Sequence, residues 1–342
     1  MAYTTIPKPT DYFNTKLYTG NGGTQSITGV EHQPDLVWVK QRNGSAYHQL
    51  TDIIRGVNSQ AASNATGLGA SNTCLTAFNS DGFALGSNGD VNGNNLTYVS
   101  WNWKGNGAGS SNSDGTITST VSANATSGFS IVKYNGTSTV GATVGHGLGK
   151  IPKMLIVKNI LAGEAWQVYH SALGNAQALN LNTTGVSASS TSWNSTSPDI
   201  NKFTIYSSGQ IGQTGGTYVA YCFADVKGFS KMSSYTGNGN ADGTFVYTGF
   251  KPACIILKQY NTNGSNWFLF DNKRAGFNIE NYYLAPDSVG TEGTTDKLDM
   301  LSNGFKIKTS GSDVNGGDFI YMAWAETPFV ANSGESIPTT AR

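Results

Sequence analysis

The chain has 342 residues, of which only 12% are charged, with Lys+Arg and Asp+Glu balanced at 21 each. So sparse and even a charge leaves no field to gather nucleic acid or anionic lipid, and 11% aromatics exclude a disordered chain. Long surface helices, which need Glu and Lys on their wet face, are excluded too, and no apolar run is long enough to span a membrane as a helix. With 43 glycines, the composition predicts an all-β, turn-rich protein.

In chain order, residues 1–15 read as a short N-terminal arm without the apolar stretch of a signal peptide. The run YTGNG then opens at Tyr18 and recurs at Tyr235, with a degraded version at Tyr134-Asn-Gly. From these tyrosines a proline follows after 16, 18 and 17 residues (Pro34, Pro152, Pro252), and each proline begins an apolar run closed by lysine: PDLVWVK, PKMLIVK and PACIILK. An aromatic comes next (Tyr47, Trp166, Trp267), then a Phe-led alternating run from Phe83, Phe203 and Phe305, then a closing run, TYVSWNW, TYVAYCF or IYMAWAE. An ordered series of landmarks repeated three times marks three copies of one unit. The boundaries expected are 16–106, 128–228 and 229–330, each a β-sandwich with little or no helix. Residues 107–127 form a Gly/Ser/Thr linker whose TITSTVS segment alternates well enough to add an edge strand, and 331–342 form a C-terminal tail.

Within these units the apolar runs read as strands covered on both faces. In the closing run of the middle copy, Thr217, Val219, Tyr221 and Phe223 point one way and Tyr218, Ala220 and Cys222 the other. Both faces are apolar or aromatic, which places this strand centrally in its sheet. The segment Ser45–Arg55 is the nearest to a helical pattern and falls short of one. Cys74, Cys222 and Cys254 lie in or beside apolar runs and read as buried free thiols made in a reducing compartment.

These landmarks carry a family likeness. YTGNG with SDGFALGS, DVNG and TYVSWNW, then TVGHGLGKIPKMLIVKN with VYHSALG, then YTGFKPACIILK with FLFDNKRAGFN and LSNGFKIK, resemble a repeat of marine bacteriophage virion proteins, over about Asp11 to Val330. The resemblance implies tandem concanavalin-lectin-like (jelly-roll) sandwiches in a tail-fibre or other virion surface protein, assembled in the host cytoplasm. It implies other virion proteins as partners, a homotrimer by analogy with fibres, and a host-surface carbohydrate as ligand. Only about fifteen residues precede the first copy, so the usual fibre-anchoring domain is not expected, and head or tail placement stays open. The alternative is a structural head-decoration or tail-connector protein that binds only other virion subunits.

No enzyme signature is found. Six glutamates are scattered without a repeated pair, and no Gly-x-Ser-x-Gly, His-Glu-x-x-His or phosphate-binding Gly-Lys-Ser/Thr occurs. A slot after the aromatic landmark is polar in each copy (Asp52, His170, Asp271) and reads as a capped strand end. Asp90 with Asn92 and Asp313 with Asn315 place oxygens two apart, as a Ca²⁺ loop does, but a Ca²⁺ site needs six or more oxygens, and an Asx-stabilised hairpin turn accounts for them better. No cofactor is expected. For glycan contact the candidates are the landmark aromatics Tyr47, Trp166 and Trp267 with Asn261, Asn263 and Asp271, because sugar sites combine an aromatic face with amide and carboxylate partners. Against this, an aromatic kept in every copy is also what a core position produces. Lys40, Lys158 and Lys258 read as strand ends whose stems lie over apolar surface.

Overall fold

A computed structural model describes residues 3–67 and 74–328, and the tail expected over 331–342 lies outside them. The protein is built of antiparallel sheets, as its composition requires. The first unit holds β1 (Phe13–Thr19), β2 (Gln25–Thr28), β3 (Leu36–Gln41), β4 (Gln49–Asp52), β5 (Gln60–Ala62), β6 (Leu75–Asn79), β7 (Gly82–Leu85) and β8 (Thr97–Trp103), with the one-turn helix α1 (Gly89–Asn92) before β8. The middle unit holds β9 (Ser110–Asn112), β10 (Ser119–Asn124), β11 (Phe129–Asn135), β12 (Ala142–Gly145), β13 (Met154–Asn159), β14 (Gln167–His170), β15 (Gln177–Asn180), β16 (Ala188–Ser189), β17 (Lys202–Ile205) and β18 (Thr217–Phe223). The last unit holds β19 (Ser230–Thr236), β20 (Phe245–Tyr247), β21 (Phe250–Gln259), β22 (Trp267–Asp271), β23 (Leu298–Leu301), β24 (Gly304–Ile307), α2 (Ser312–Asn315) and β25 (Asp318–Pro328).

One strand order recurs. The larger sheets run β1-β8-β3-β4-β5, β11-β18-β13-β14-β15 and β19-β25-β21-β22; the smaller ones are β2-β7-β6, β12-β17 and β20-β24-β23. In the middle unit the segment before β11 contributes two strands. β10, which overlaps TITSTVS, pairs with β11, and β9 rather than TITSTVS takes the edge. The expected arm is structured: β1 starts inside it, Ile6 is fully buried, and the Tyr3 hydroxyl donates to the Gly249 carbonyl at 2.8 Å. Ser45–Arg55 contains β4 and no helix.

The two-faced closing strands explain the architecture. β18 lies between β11 and β13, and its two side-chain sets enter two different cores. Tyr218, Ala220 and Cys222 face the small sheet of their own sandwich with Val144, Phe203 and Ile205. Val219, Tyr221 and Phe223 enter a central core shared with Trp38, Val99, Trp101 and Trp103 of the first unit and Ile256, Met322 and Trp324 of the last. The large sheets therefore pack back to back around a pseudo-threefold axis, and burial on both faces is what makes their strands continuously apolar. On that axis the equivalent residues Trp103, Phe223 and Trp324 meet pairwise edge to face. Their ring centroids are 5.2–6.3 Å apart and the interplanar angles are 65–71°. Each such pair contributes about 0.5–1.5 kcal/mol beyond area burial. All three cysteines are free and fully buried, and burial pushes the Cys74 and Cys222 thiols up to about 12.

Candidate functional site

The seams between units are where the repeated polar residues go. Register pairs Lys258 with Trp267 across β21 and β22, and the equivalent pairing puts His48, not Tyr47, opposite Lys40. The first-copy equivalent of Trp166 and Trp267 is therefore His48 rather than Tyr47. Trp166 is fully buried and Trp267 is 1% exposed, so neither can stack on a glycan, contrary to the sequence expectation. Each instead donates its indole N–H to a carbonyl of the preceding unit: Trp166 to Ala62 at 2.8 Å and Trp267 to Asn180 at 3.1 Å. His48 holds the third place, facing the Ala285 backbone of the last unit. Its Nδ1 accepts from Trp38 Nε1 at 2.9 Å, which leaves the proton on Nε2, and burial holds its pKa well below the usual histidine range.

The lysines do stand at strand ends, each the penultimate residue of its strand, but they are buried rather than laid over surface. Lys40, Lys158 and Lys258 are at most 1% exposed, and desolvation lowers each ammonium pKa to about 8. Lys158 Nζ donates to Glu164 of its own unit at 2.5 Å and to Thr66 of the first unit at 2.8 Å. Lys258 does the same with Ser265 and, at 3.1 Å, with Thr184 of the middle unit; Lys40 reaches Gln41 at 2.9 Å and Val289 of the last unit at 3.2 Å. Two residues before each receiving carbonyl stands a side chain whose Oδ1 accepts a backbone N–H: Asn64 from His48 (2.9 Å), Asn182 from Trp166 (3.0 Å) and Asp287 from Trp267 (3.2 Å). The three loops are therefore pinned alike, each to its own unit through a side chain and to the next through a lysine.

The polar slot also belongs to the seams. Asp52 and Asp271 are fully buried, each paired with an arginine three residues on, Arg55 and Arg274. Each also accepts two backbone N–H groups of the following turn, the capped strand end expected from sequence. Across the seam, Asp52 Oδ2 accepts from the Tyr221 hydroxyl at 2.8 Å and Asp271 Oδ2 from Trp101 Nε1 at 3.0 Å. His170 occupies the third slot opposite the Tyr321 carbonyl, and burial lowers its pKa to about 4. The Asp-x-x-Arg spacing in TDIIR and FDNKR was a signal for these pairs that the landmark count passed over. Asp271 is thus unavailable to a glycan.

The remaining candidates hydrogen-bond to other parts of the chain, Asn261 and Asn263 from exposed positions. Asn261 exchanges two hydrogen bonds with Asp318, and Asn263 Oδ1 accepts from Val186 N at 3.4 Å. Asp90 and Asn92, and Asp313 and Asn315, sit on α1 and α2 rather than on hairpin turns. Asp90 accepts from Gln49 Nε2 at 2.8 Å, and Asp313 pairs with Lys297. Asn92 and Asn315 are fully buried, and each clamps the YTGNG corner of its unit. Asn92 Oδ1 accepts from Asn21 N while its Nδ2 donates to Asn21 Oδ1, Gly23 O and Gly86 O; Asn315 repeats the set with Asn238, Asn240 and Thr309. These oxygens serve the corner rather than a common metal. No group of three His, Cys, Asp or Glu that could hold a metal exists among the described residues.

Tyr47, alone of the predicted aromatics, is exposed, at 47%. It lies at an open recess of about 670 Å³ whose rim draws on all three units, with Asn64 and Thr66 from the first, Asn182 from the middle, and Asp287 and Ser288 from the last. These are the pinned loops, so the recess is the mouth at one end of the pseudo-axis. Burial raises the Asp287 carboxyl to about 6, and its Oδ2 has no protein partner. Residues 8–328 match the family described as "Domain of unknown function (DUF7483)". The chain belongs to this family. DUF7483 thus spans all three units of the ring, not one of them. Comparison with curated proteins finds no match.

Proposed function

We propose that this DUF7483 protein is a non-enzymatic adhesin that holds a glycan in its axial mouth, displayed on a phage particle and anchored there by other virion proteins. The observation that carries the glycan reading is the mouth: a half-exposed tyrosine ring beside amides, hydroxyls and one carboxyl, on loops held rigid by the buried lysines. Tyrosine offers a flat apolar face with a polar tip, and Asn and Ser give adaptable hydrogen bonds, the chemistry that saccharides require. Preorganised loops lower the ordering cost of binding. The virion placement rests on the family likeness of the repeats. Because the threefold arrangement is complete within one chain, a single copy supplies what three subunits of a fibre would supply.

A glycan array with the whole chain and its Tyr47→Ala variant tests the reading. The expected result is binding to a restricted set of glycans that Tyr47→Ala loses without a change in melting temperature. Absence of glycan binding, together with a stable complex between the chain and capsid or tail subunits, would establish the head-decoration or connector alternative instead.

A further inference from the structure

The last unit has a second recess, of about 340 Å³, apart from the mouth and from every seam contact described above. Its wall includes Lys251 on β21, Asn272, Phe277 and Glu280 from the segment after β22, and Glu326 on β25. Lys251 and Glu326 are already paired, at 2.6 Å. Glu280 is only 2% exposed, yet its Oε2 meets no partner, and neither does the buried Oδ1 of Asn272. A buried polar oxygen without a partner is costly, so two in one recess point to a missing partner. At the same recess Phe277 is 75% exposed, the most exposed large apolar side chain among the described residues.

We infer that this recess binds a saccharide unit bearing a primary ammonium group, with the ammonium at Glu280 and Asn272 and the sugar's apolar face on Phe277. The saccharide part rests on the glycan reading above; the ammonium part rests on this recess alone. An ammonium brings three donors and no acceptor, which matches the Asn272 side-chain carbonyl and the Glu280 carboxyl once that carboxyl has given up its proton. The Phe277 ring adds a cation–π surface, and the volume lies at the small-ligand end of the range for binding pockets. A hard divalent cation fits poorly, because it requires six or more oxygens and Lys251 already occupies Glu326.

The surroundings of Glu280 give the binding a proton signature. Desolvation first, then the charges of Asp271 and Asp299, push its carboxyl up to about 8, against the opposing pull of Arg274 and Lys251. In the free protein near neutral pH it therefore holds its proton. An arriving ammonium keeps its own three protons, and the carboxyl releases one to solvent.

The test is titration calorimetry of the whole chain with the glucosamine dimer and with its di-N-acetylated form, in two buffers of different ionisation enthalpy. The amine form is expected to bind with release of a proton, and the acetylated form to bind at least about tenfold more weakly. Affinity should rise by up to ~tenfold per pH unit from about pH 6 up to the pKa of the ligand's own amine, as the cost of ionising Glu280 falls, and level off above it. Glu280→Gln should abolish both the pH dependence and the proton release. Phe277→Ala, at a position too exposed to affect folding, should weaken binding, and Tyr47→Ala should leave it unchanged. Equal binding of the acetylated dimer, no proton release, or full binding by Glu280→Gln would overturn the proposal. Loss of binding in Tyr47→Ala would overturn it by moving the ligand to the mouth. Binding of Nα-acetyl-lysine amide without the glucosamine dimer would overturn its saccharide half. A failed glycan array with intact dimer binding would refute the mouth alone.

Discussion

The seams between units and the corners within them use the same means, buried polar side chains holding loops, yet only the seam lysines recur in every copy. Lys40, Lys158 and Lys258 each bridge two units, so losing one opens a closed ring. A corner concerns one unit only. The outer corners are clamped by Asn92 and Asn315, while in the middle unit Gly212 stands at that place and the turn is closed by backbone contacts, with Ser138 N donating to Gly212 O at 2.8 Å. A Cβ at Gly212 would lie 2.1 Å from the Tyr206 carbonyl, so asparagine cannot simply be restored there. A private contact can be rewritten one copy at a time, whereas the lysine bridge between units is kept in all three.

The largest effect that would break this distinction is expected on the axis. Trp324→Ala should cost about 3–5 kcal/mol and lower one global unfolding transition, seen by denaturant titration with tryptophan fluorescence and circular dichroism in step. If only the last unit unfolded, the shared core would not couple the units. Arg274→Met is expected to cost a similar ~3–5 kcal/mol, because it leaves the Asp271 carboxylate buried without its cation. Asn92→Ala should cost about 1–3 kcal/mol and act locally, with faster amide exchange around Asn21 and Gly22 and no change near Asn238. Exchange rising in all three corners would erase the contrast.

A pH experiment sharpens the seam. Each buried lysine has a folded pKa of about 8 against an ordinary value of 10.5, so between these limits the unfolded chain binds more protons. Stability carried by the lysines therefore rises with pH across that window and is flat below it. Measured as the difference between wild type and Lys258→Met, the advantage of wild type should grow from about pH 8 to 10.5. An advantage that shrinks there would mean the lysine is stabilised in its charged form. The smallest expected effect is Tyr47→Ala, within about 0.5 kcal/mol, because the side chain is half exposed at the rim.

Much of the fold was legible in the sequence because it rests on periodicity. The both-faced apolar pattern of Thr217–Phe223 called for a central strand, and β18 is one. What covers its second face was not legible, since a neighbouring unit and a second sheet of the same unit leave the same apolar trace. The site was harder to read for a related reason. An aromatic repeated in every copy is recognisable as repeated, but not as buried; the distinction lies in whether its N–H has a carbonyl waiting in another unit, as Trp166 has at Ala62. Asn64, Asn182 and Asp287 passed unnoticed among many asparagines, because their equivalence shows only when each is seen capping the same strand start. Glu280 and Phe277 belong to one copy alone, so repetition could not reveal them.

The YTGNG pentapeptide forms the corner of its unit. Gly22 and Gly239 take positive φ, +73° and +69°, while Gly20 and Gly237 are required by close approach, since a Cβ there would lie 2.3 and 2.2 Å from the backbone oxygens of Gly93 and Asn315. The tyrosine survives in all three copies because its hydroxyl reaches a carbonyl at 2.7 Å in each, Val91, Ile211 and Val314.

The closed ring of three non-identical units also sets the valency of the mouth. Three identical subunits around an axis offer a ligand three equivalent poses and leave any off-axis contact in triplicate. Here the rim carries Asn64, Asn182 and Asp287 at matching places, so only one of the three sectors bears a carboxyl. An asymmetric ligand of the proposed kind would meet a single orientation there, with an expected stoichiometry of one per chain.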